Sequence, residues 1–296
     1  MKNIDQTLAA NGNSDVLAAK LVRRNSKQHP LHAALASLRT HWPEYFMEAA
    51  LLGIFMISAC LFTVLFEYPH SPPRRMIDSA LLRRVFEGVA MGVTAVGIIY
   101  SPWGKQSGAH INPSVTLTFL RLRKIKFWDA VFYIMAQFIG AALAVYMVAI
   151  FLGPPVSDPA VRYVVTVPGP QGPWFALFAE FTISGVLMAA ILYASNHHGL
   201  SSYTGIIAGI LVAAYIILEA PASGMSMNPA RTFGSALPAG VWDAWALYFT
   251  APPLGMMTAA EGYLWWSGKQ IVKCCKLHHD NSKRCIFCGA NGGFAS

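Results

Sequence analysis

The sequence predicts an all-α membrane protein: six transmembrane helices plus two half-membrane helices, arranged as an inverted repeat. Three observations carry this expectation. The 296 residues are 55% hydrophobic and 12% charged, where a soluble domain carries about 25% charged residues. Six long apolar stretches run along the chain. One ten-residue stretch occurs twice: 107–116 (SGAHINPSVT) returns as 223–232 (SGMSMNPART), with Ser, Gly, Asn, Pro and Thr at the same five places.

Taken in order, residues 1–43 are polar and mixed, with no apolar core of signal-peptide length, and read as a tail. Within it, 31–42 is weakly amphipathic and is expected to be disordered or to lie on the membrane surface. The apolar stretches are 45–66, 85–102, 127–152, 174–194, 203–218 and 242–266, each near the ~20 residues that a transmembrane helix needs. Trp103, Trp174, Trp242 and Trp265 fall near predicted ends, where interfacial indoles belong. Between the second and third stretches lies 112–122, and between the fifth and sixth lies 228–237. Each opens with Asn at an N-cap and Pro at the first helical position, residues suited to starting a helix. At 1.5 Å per residue, ten residues reach ~15 Å, half of a hydrocarbon core of ~30 Å.

The repeat extends beyond these stretches. Glu48 in the first span matches Glu180 in the fourth, and Gly88 and Gly92 in the second match Gly205 and Gly209 in the fifth. Small residues at that spacing let helices cross closely in lipid, and a duplicated three-span unit places its second copy upside down. The domain reading is therefore a tail (1–43), a membrane-embedded domain (44–267, with repeats 44–152 and 174–267) and a Cys/His-rich tail (268–296). The net charge of +8 could suggest nucleic acid, but the basic residues gather in tails and loops beside apolar spans, so no nucleic-acid partner is expected. With both termini inside, sixteen of the 22 Lys and Arg fall on inner segments, as the positive-inside rule requires. Four arginines in the first outer loop (Arg74, Arg75, Arg83 and Arg84) run against it. The expected location is a plasma or bacterial inner membrane, with cytoplasmic termini and the lipid bilayer as a partner.

Non-helical backbone at membrane depth survives only where protein buries it or water wets it. The loops before the half-helices are such backbone, and the carbonyls of Gly108, Ala109 and His110, and of Gly224, Met225 and Ser226, are expected to line a wet path. Two helix N-termini facing each other place about half an elementary charge each at its centre. That field repels cations and protons and leaves neutral solutes free to pass. Asn112 and Asn228 add amide donors there. The residues thus point to a passive channel for small uncharged molecules, not to an enzyme.

The two ten-residue stretches resemble the paired Asn-Pro-Ala signatures of the aquaporin, or major intrinsic protein, family, with the likeness covering about 44–267. The resemblance implies a right-handed bundle, a homotetramer with one pore per subunit, and a pore midpoint at Asn112, Pro113, Ser114, Asn228, Pro229 and Ala230. Ser114 departs from the usual Ala. Arg231 matches the family's filter arginine, and by alignment Met91, Ile216 and Met225 complete the filter, with Gly92 one residue from the first of these positions. Glu48 and Glu180 are implied to brace the pore loops; read from the residues alone, they could instead relay protons in a coupled carrier. The filter matches neither water channels nor glycerol facilitators, whereas Thr232, Ala236 and the pair Tyr248-Phe249 resemble water channels. Water is the first expectation, and a glycerol-, urea- or ammonia-type solute is the alternative. His110 reads as a gate or a packed donor.

The tail poses a separate question. Cys274, Cys275, His278, His279, Cys285 and Cys288 lie within fifteen residues. Thiolate and imidazole suit zinc, and the ending Cys-x-x-Cys-Gly resembles a zinc knuckle. No cofactor is expected for transport itself, with zinc a candidate ligand of the tail.

Overall fold

The computed structural model describes residues 30–267 and 272–289. The rest of the expected tails, including Lys2, Lys20, Arg23, Arg24, Lys27 and Lys269 of the charge count, lies outside the described residues. The first helix, α1 (Pro30–Glu67), begins well before the apolar stretch. Residues 31–42 are therefore helical and not a disordered tail, because Leu31, Ala33, Ala34, Leu35 and Ala36 are strong helix formers with no glycine among them. Pro43 interrupts the backbone ladder inside α1, and the chain divides there into two units, of which the second is Pro43–Ser296. Both half-helices and the long helices around them belong to that second unit.

Helix α2 (Ala80–Tyr100) is capped by Ser79, whose hydroxyl accepts from Leu82 N at 3.3 Å. It ends at Ser101, ahead of Pro102, and a short helical turn (Pro102–Ser107) follows. The half-helix α3 (Pro113–Arg121) comes next, then α4 (Phe127–Leu152). The second repeat has the same order: α5 (Pro173–Asn196), α6 (Thr204–Leu218), a short turn (Ala220–Ser223), the half-helix α7 (Pro229–Ala239) and α8 (Trp245–Ser267). By length and composition, α1, α4, α5 and the segment Ser201–Leu218 are apolar enough to cross a membrane. Helix α2 opens with Arg83, Arg84 and Glu87, and α8 is rich in Trp, Tyr, Pro and Gly.

Packing follows the repeat. Helix α2 crosses α6, α5 packs on α8, and each half-helix lies against the last helix of the other repeat, α3 on α8 and α7 on α4. The four motif glycines sit in the α2/α6 crossing. A Cβ on Gly92 would stand 2.6 Å from the Gly209 carbonyl, one on Gly209 2.7 Å from that of Gly92, and one on Gly88 2.7 Å from that of Ala213. On Gly205 it would meet Tyr100 at 2.7 Å.

The structure also accounts for part of the arginine excess in the first outer loop. Arg83 is buried. It makes a two-pronged pair with Glu67 at 3.0 and 3.1 Å, and donates to the carbonyls of Ile77 and Asp78. It ties α1 to α2 as a structural pin.

Candidate functional site

The site is built from two loops with the same backbone. Gly108 (φ 101°), Ala109 (54°) and Ile111 (41°) take left-handed conformations, and so do Gly224 (83°), Met225 (48°) and Met227 (53°). For the four that are not glycine this costs of order 1–3 kcal/mol each and persists only where the surroundings over-determine it. The determinant is a fully buried carboxylate beneath each loop. Glu48 accepts from Ser107 Oγ (2.8 Å), His110 N (3.0 Å) and Ile111 N (2.6 Å). Glu180 accepts from Ser223 Oγ (2.7 Å), Ser226 N (2.7 Å) and Met227 N (2.7 Å). Two buried tyrosines complete the scaffold: Tyr133 donates to Ser107 O at 2.7 Å and Tyr248 to Ser223 O at 2.6 Å. Tyr133 carried no signal in the sequence, where a tyrosine in an apolar helix looks like packing.

The half-helices meet at their N-termini. Asn112 Oδ1 accepts from Ser114 N, and Asn228 Oδ1 from Ala230 N and Arg231 N, so each asparagine caps its own helix. The amides reach across: Asn112 Nδ2 donates to Met227 O and Asn228 Nδ2 to Ile111 O, both at 2.8 Å. An amide nitrogen carries two hydrogens, so each asparagine keeps one donor beyond the cross-bond. Pro113, Ser114, Pro229 and Ala230 are buried behind them.

Two cavities meet close to this junction, which walls the smaller of them. The larger, about 430 Å³, is walled by Met91, Ile216, Met225, Arg231, Glu87 and Gly224 among others. The smaller, about 90 Å³, is walled by Ala109, His110, Asn112, Ser226, Asn228 and Leu277 among others. Phe55, Met225 and Arg231 line both and so mark the neck between them. Phe55 carried no sequence signal, being one more aromatic in an apolar span. Met91 stands on the cavity wall, whereas Gly92 faces the helix crossing. Arg231 Nη1 donates to Val164 O at 3.0 Å. That carbonyl is presented by three successive left-handed residues, Arg162, Tyr163 and Val164, in a loop whose lack of periodicity hid it from sequence reasoning. The remaining guanidinium donors are available to the cavity.

Two expectations are corrected. Of the loop carbonyls expected along the path, that of Gly108 accepts instead from Leu277 N at 3.1 Å. Of the six tail residues grouped as metal ligands, four come together: one ligand atom each from Cys274, His279, Cys285 and Cys288 lies within 4.8 Å of the others. Cys275 Sγ turns to Lys124 O at 3.4 Å, and the His278 ring packs edge-on against Tyr100 at 5.1 Å. Both are held by the channel body. A hydrogen bond with Cys275, together with burial, pushes the Cys274 thiol up to about 12, and burial lowers the pKa of the Lys276 ammonium. His110 is fully buried, its Nε2 donating to Cys275 O at 2.9 Å and its Nδ1 3.1 Å from Thr116 Oγ1. It is a packed donor.

Inverted three-helix repeats with half-helices joined tip to tip define an integral membrane protein of the paired half-helix class. Residues 36–263 match the family described as Major intrinsic protein, and the chain belongs to that family. It is 32% identical over 188 residues to Aquaporin NIP2-3 of Zea mays, covering 63% of this chain and 60% of the relative. It is 34% identical over 185 residues to Aquaporin AqpM of Methanothermobacter thermautotrophicus, covering 60% and 74%. The chain thus spans about 60% of the length of the maize relative. Its fold is similar to the X-ray structure of the aquaglyceroporin from Plasmodium falciparum, with TM-score 0.63, 18% identity, and coverage of 76% of this chain and 96% of that one.

Proposed function

We propose that the protein is a passive channel for water and other small neutral solutes, and not an enzyme. The observation that carries this reading is the neck: two cavities meet at Phe55, Met225 and the Arg231 guanidinium, with the cross-bonded asparagines on the wall of the smaller one. Solute passing there meets two amide donors, two helix N-termini and a permanent cation, which together oppose cations and protons while hydrogen-bonding neutral molecules. Met91, Ile216, Met225 and Arg231 act as the filter, three apolar walls and one donor edge. Asn112 and Asn228 orient solute at the midpoint, and Glu48 and Glu180 brace the loops. The bracing reading is supported by hydrogen bonds to both oxygens of each carboxylate, which leave little for a proton relay. The names of the relatives, aquaporin and aquaglyceroporin, fit water and a larger neutral solute equally. The filter lacks the histidine that would add a second polar wall, so glycerol, urea or ammonia is the alternative cargo. Both termini face the cytoplasm and the assembly is a homotetramer.

The test is osmotic shrinkage of proteoliposomes in sucrose, glycerol, urea and ammonium solutions. Shrinkage faster than in protein-free liposomes and indifferent to an imposed proton gradient is expected; dependence on the gradient would show a carrier.

A further inference from the structure

The described part of the C-terminal tail, residues 272–289, contains no helix or strand, yet it is seated on the channel body by contacts with α1, the first pore loop, the end of α5 and the turn before α6. Leu277 N donates to Gly108 O (3.1 Å), and Leu277, itself buried, lines the 90 Å³ cavity. Cys275 O accepts from His110 Nε2 (2.9 Å), and the Phe287 ring stacks on His110 at 5.9 Å and 9°. Lys273 N reaches Asn196 Oδ1 at the end of α5 (2.7 Å), and Asp280 Oδ2 accepts from Ser201 Oγ before α6 (2.7 Å). Arg284 meets Glu44 on α1 at 3.4 Å. A chain this short and irregular does not hold one shape by its own core. Its shape rests on those contacts and on cross-links within it.

The ligand cluster lies within this segment. Cys274 Sγ and Cys285 Sγ are 3.5 Å apart, near the ~3.8 Å edge of a tetrahedron with zinc–sulfur bonds of ~2.3 Å. His279 and Cys288 supply the other two corners, and Gly289, at φ 72°, turns the chain after the Cys-x-x-Cys pair. We propose that Cys274, His279, Cys285 and Cys288 bind one Zn²⁺, and that the metal holds the tail as a plug with Leu277 in the mouth, restricting conduction until the metal is removed. The plug half rests on the channel reading; the metal half does not. The ligands are divided about Leu277, with Cys274 on one side and His279, Cys285 and Cys288 on the other. A single ion therefore fixes the loop that carries the stopper.

The experiment uses the full chain. Elemental analysis of purified protein is expected to give one zinc per chain, and cobalt exchanged into the site should show the charge-transfer bands of thiolate ligation. In proteoliposomes, a zinc chelator should raise osmotic permeability severalfold. Cys288→Ser should lose the zinc and show the raised permeability without chelator. Leu277→Ala should show raised permeability with the zinc retained, which separates the stopper from the metal and does not depend on the folding of a ligand variant. Zinc absent, or a Cys274–Cys285 disulfide found in its place, overturns the metal site. Zinc present with permeability indifferent to chelation and to Leu277→Ala overturns the plug. No conduction in any form overturns the plug and the channel reading together, while one zinc per chain would still establish the metal site.

Discussion

At the tip of α3, Ser114 holds a buried hydroxyl with no hydrogen-bond partner. A buried donor left unmatched costs about 1–3 kcal/mol, so Ser114→Ala is expected to stabilise the protein by about 1 kcal/mol and raise its thermal midpoint in detergent with conduction kept. Glu180→Gln should do the reverse. Its amide can offer an oxygen to Ser223 and Ser226, but then turns an N–H toward Met227 N, donor against donor. A loss of about 1–3 kcal/mol and a fall in permeability should result; an unchanged thermal midpoint would argue against the brace. Arg231→Ala should keep the fold and admit larger solutes or protons, read as broadened selectivity in the same liposome assay. Residues of this kind were legible in the sequence because a charge inside an apolar span is costly and so seldom accidental. Tyr133 and Phe55 were not, because an aromatic that hydrogen-bonds a loop or narrows a neck looks the same as one that faces lipid.

Among the elements, the α2/α6 crossing depends most on a single atom being missing. Gly92→Val would drive a branched side chain into the Gly209 carbonyl, 2.6 Å from the new Cβ. Overpacking of this kind typically costs about 1–3 kcal/mol, occasionally more, and a sharp drop in yield of folded protein by size-exclusion chromatography is expected. Gly97→Val, on the same helix with nothing within 4 Å of its Cβ, is the matched control and should fold normally. The crossing and the half-helices were readable because spacing and length fix them. The extension of α1 through 30–42 was not, since its weak amphipathicity fits helix and tail alike. Nor was the 153–172 connection, whose left-handed turn at Arg162–Val164 serves a partner far along the chain.

For the molecule as a whole, the orientation is open to direct measurement. Ser157 and His198 are exposed on opposite sides of α5, in the loops before and after it. With the termini inside, Ser157→Cys should react with a membrane-impermeant maleimide in intact cells, and His198→Cys only after permeabilisation; the opposite pattern would invert the topology. The tail's contacts could not have been read in advance. Its Cys and His residues announced a ligand set, but which four converge depends on Cys275 and His278 being held by Lys124 and Tyr100, contacts that no local pattern encodes.

The crossed amides bear on how the protein is made. Asn112 and Asn228 take their acceptors 115 and 117 residues away along the chain. While the ribosome is still extending the second repeat, the first has reached the bilayer with the Ile111 carbonyl and one amide hydrogen of Asn112 unmatched. A nascent chain stalled before residue 228 therefore lacks the partners of these groups, and each polar group left unmatched in hydrocarbon costs several kcal/mol.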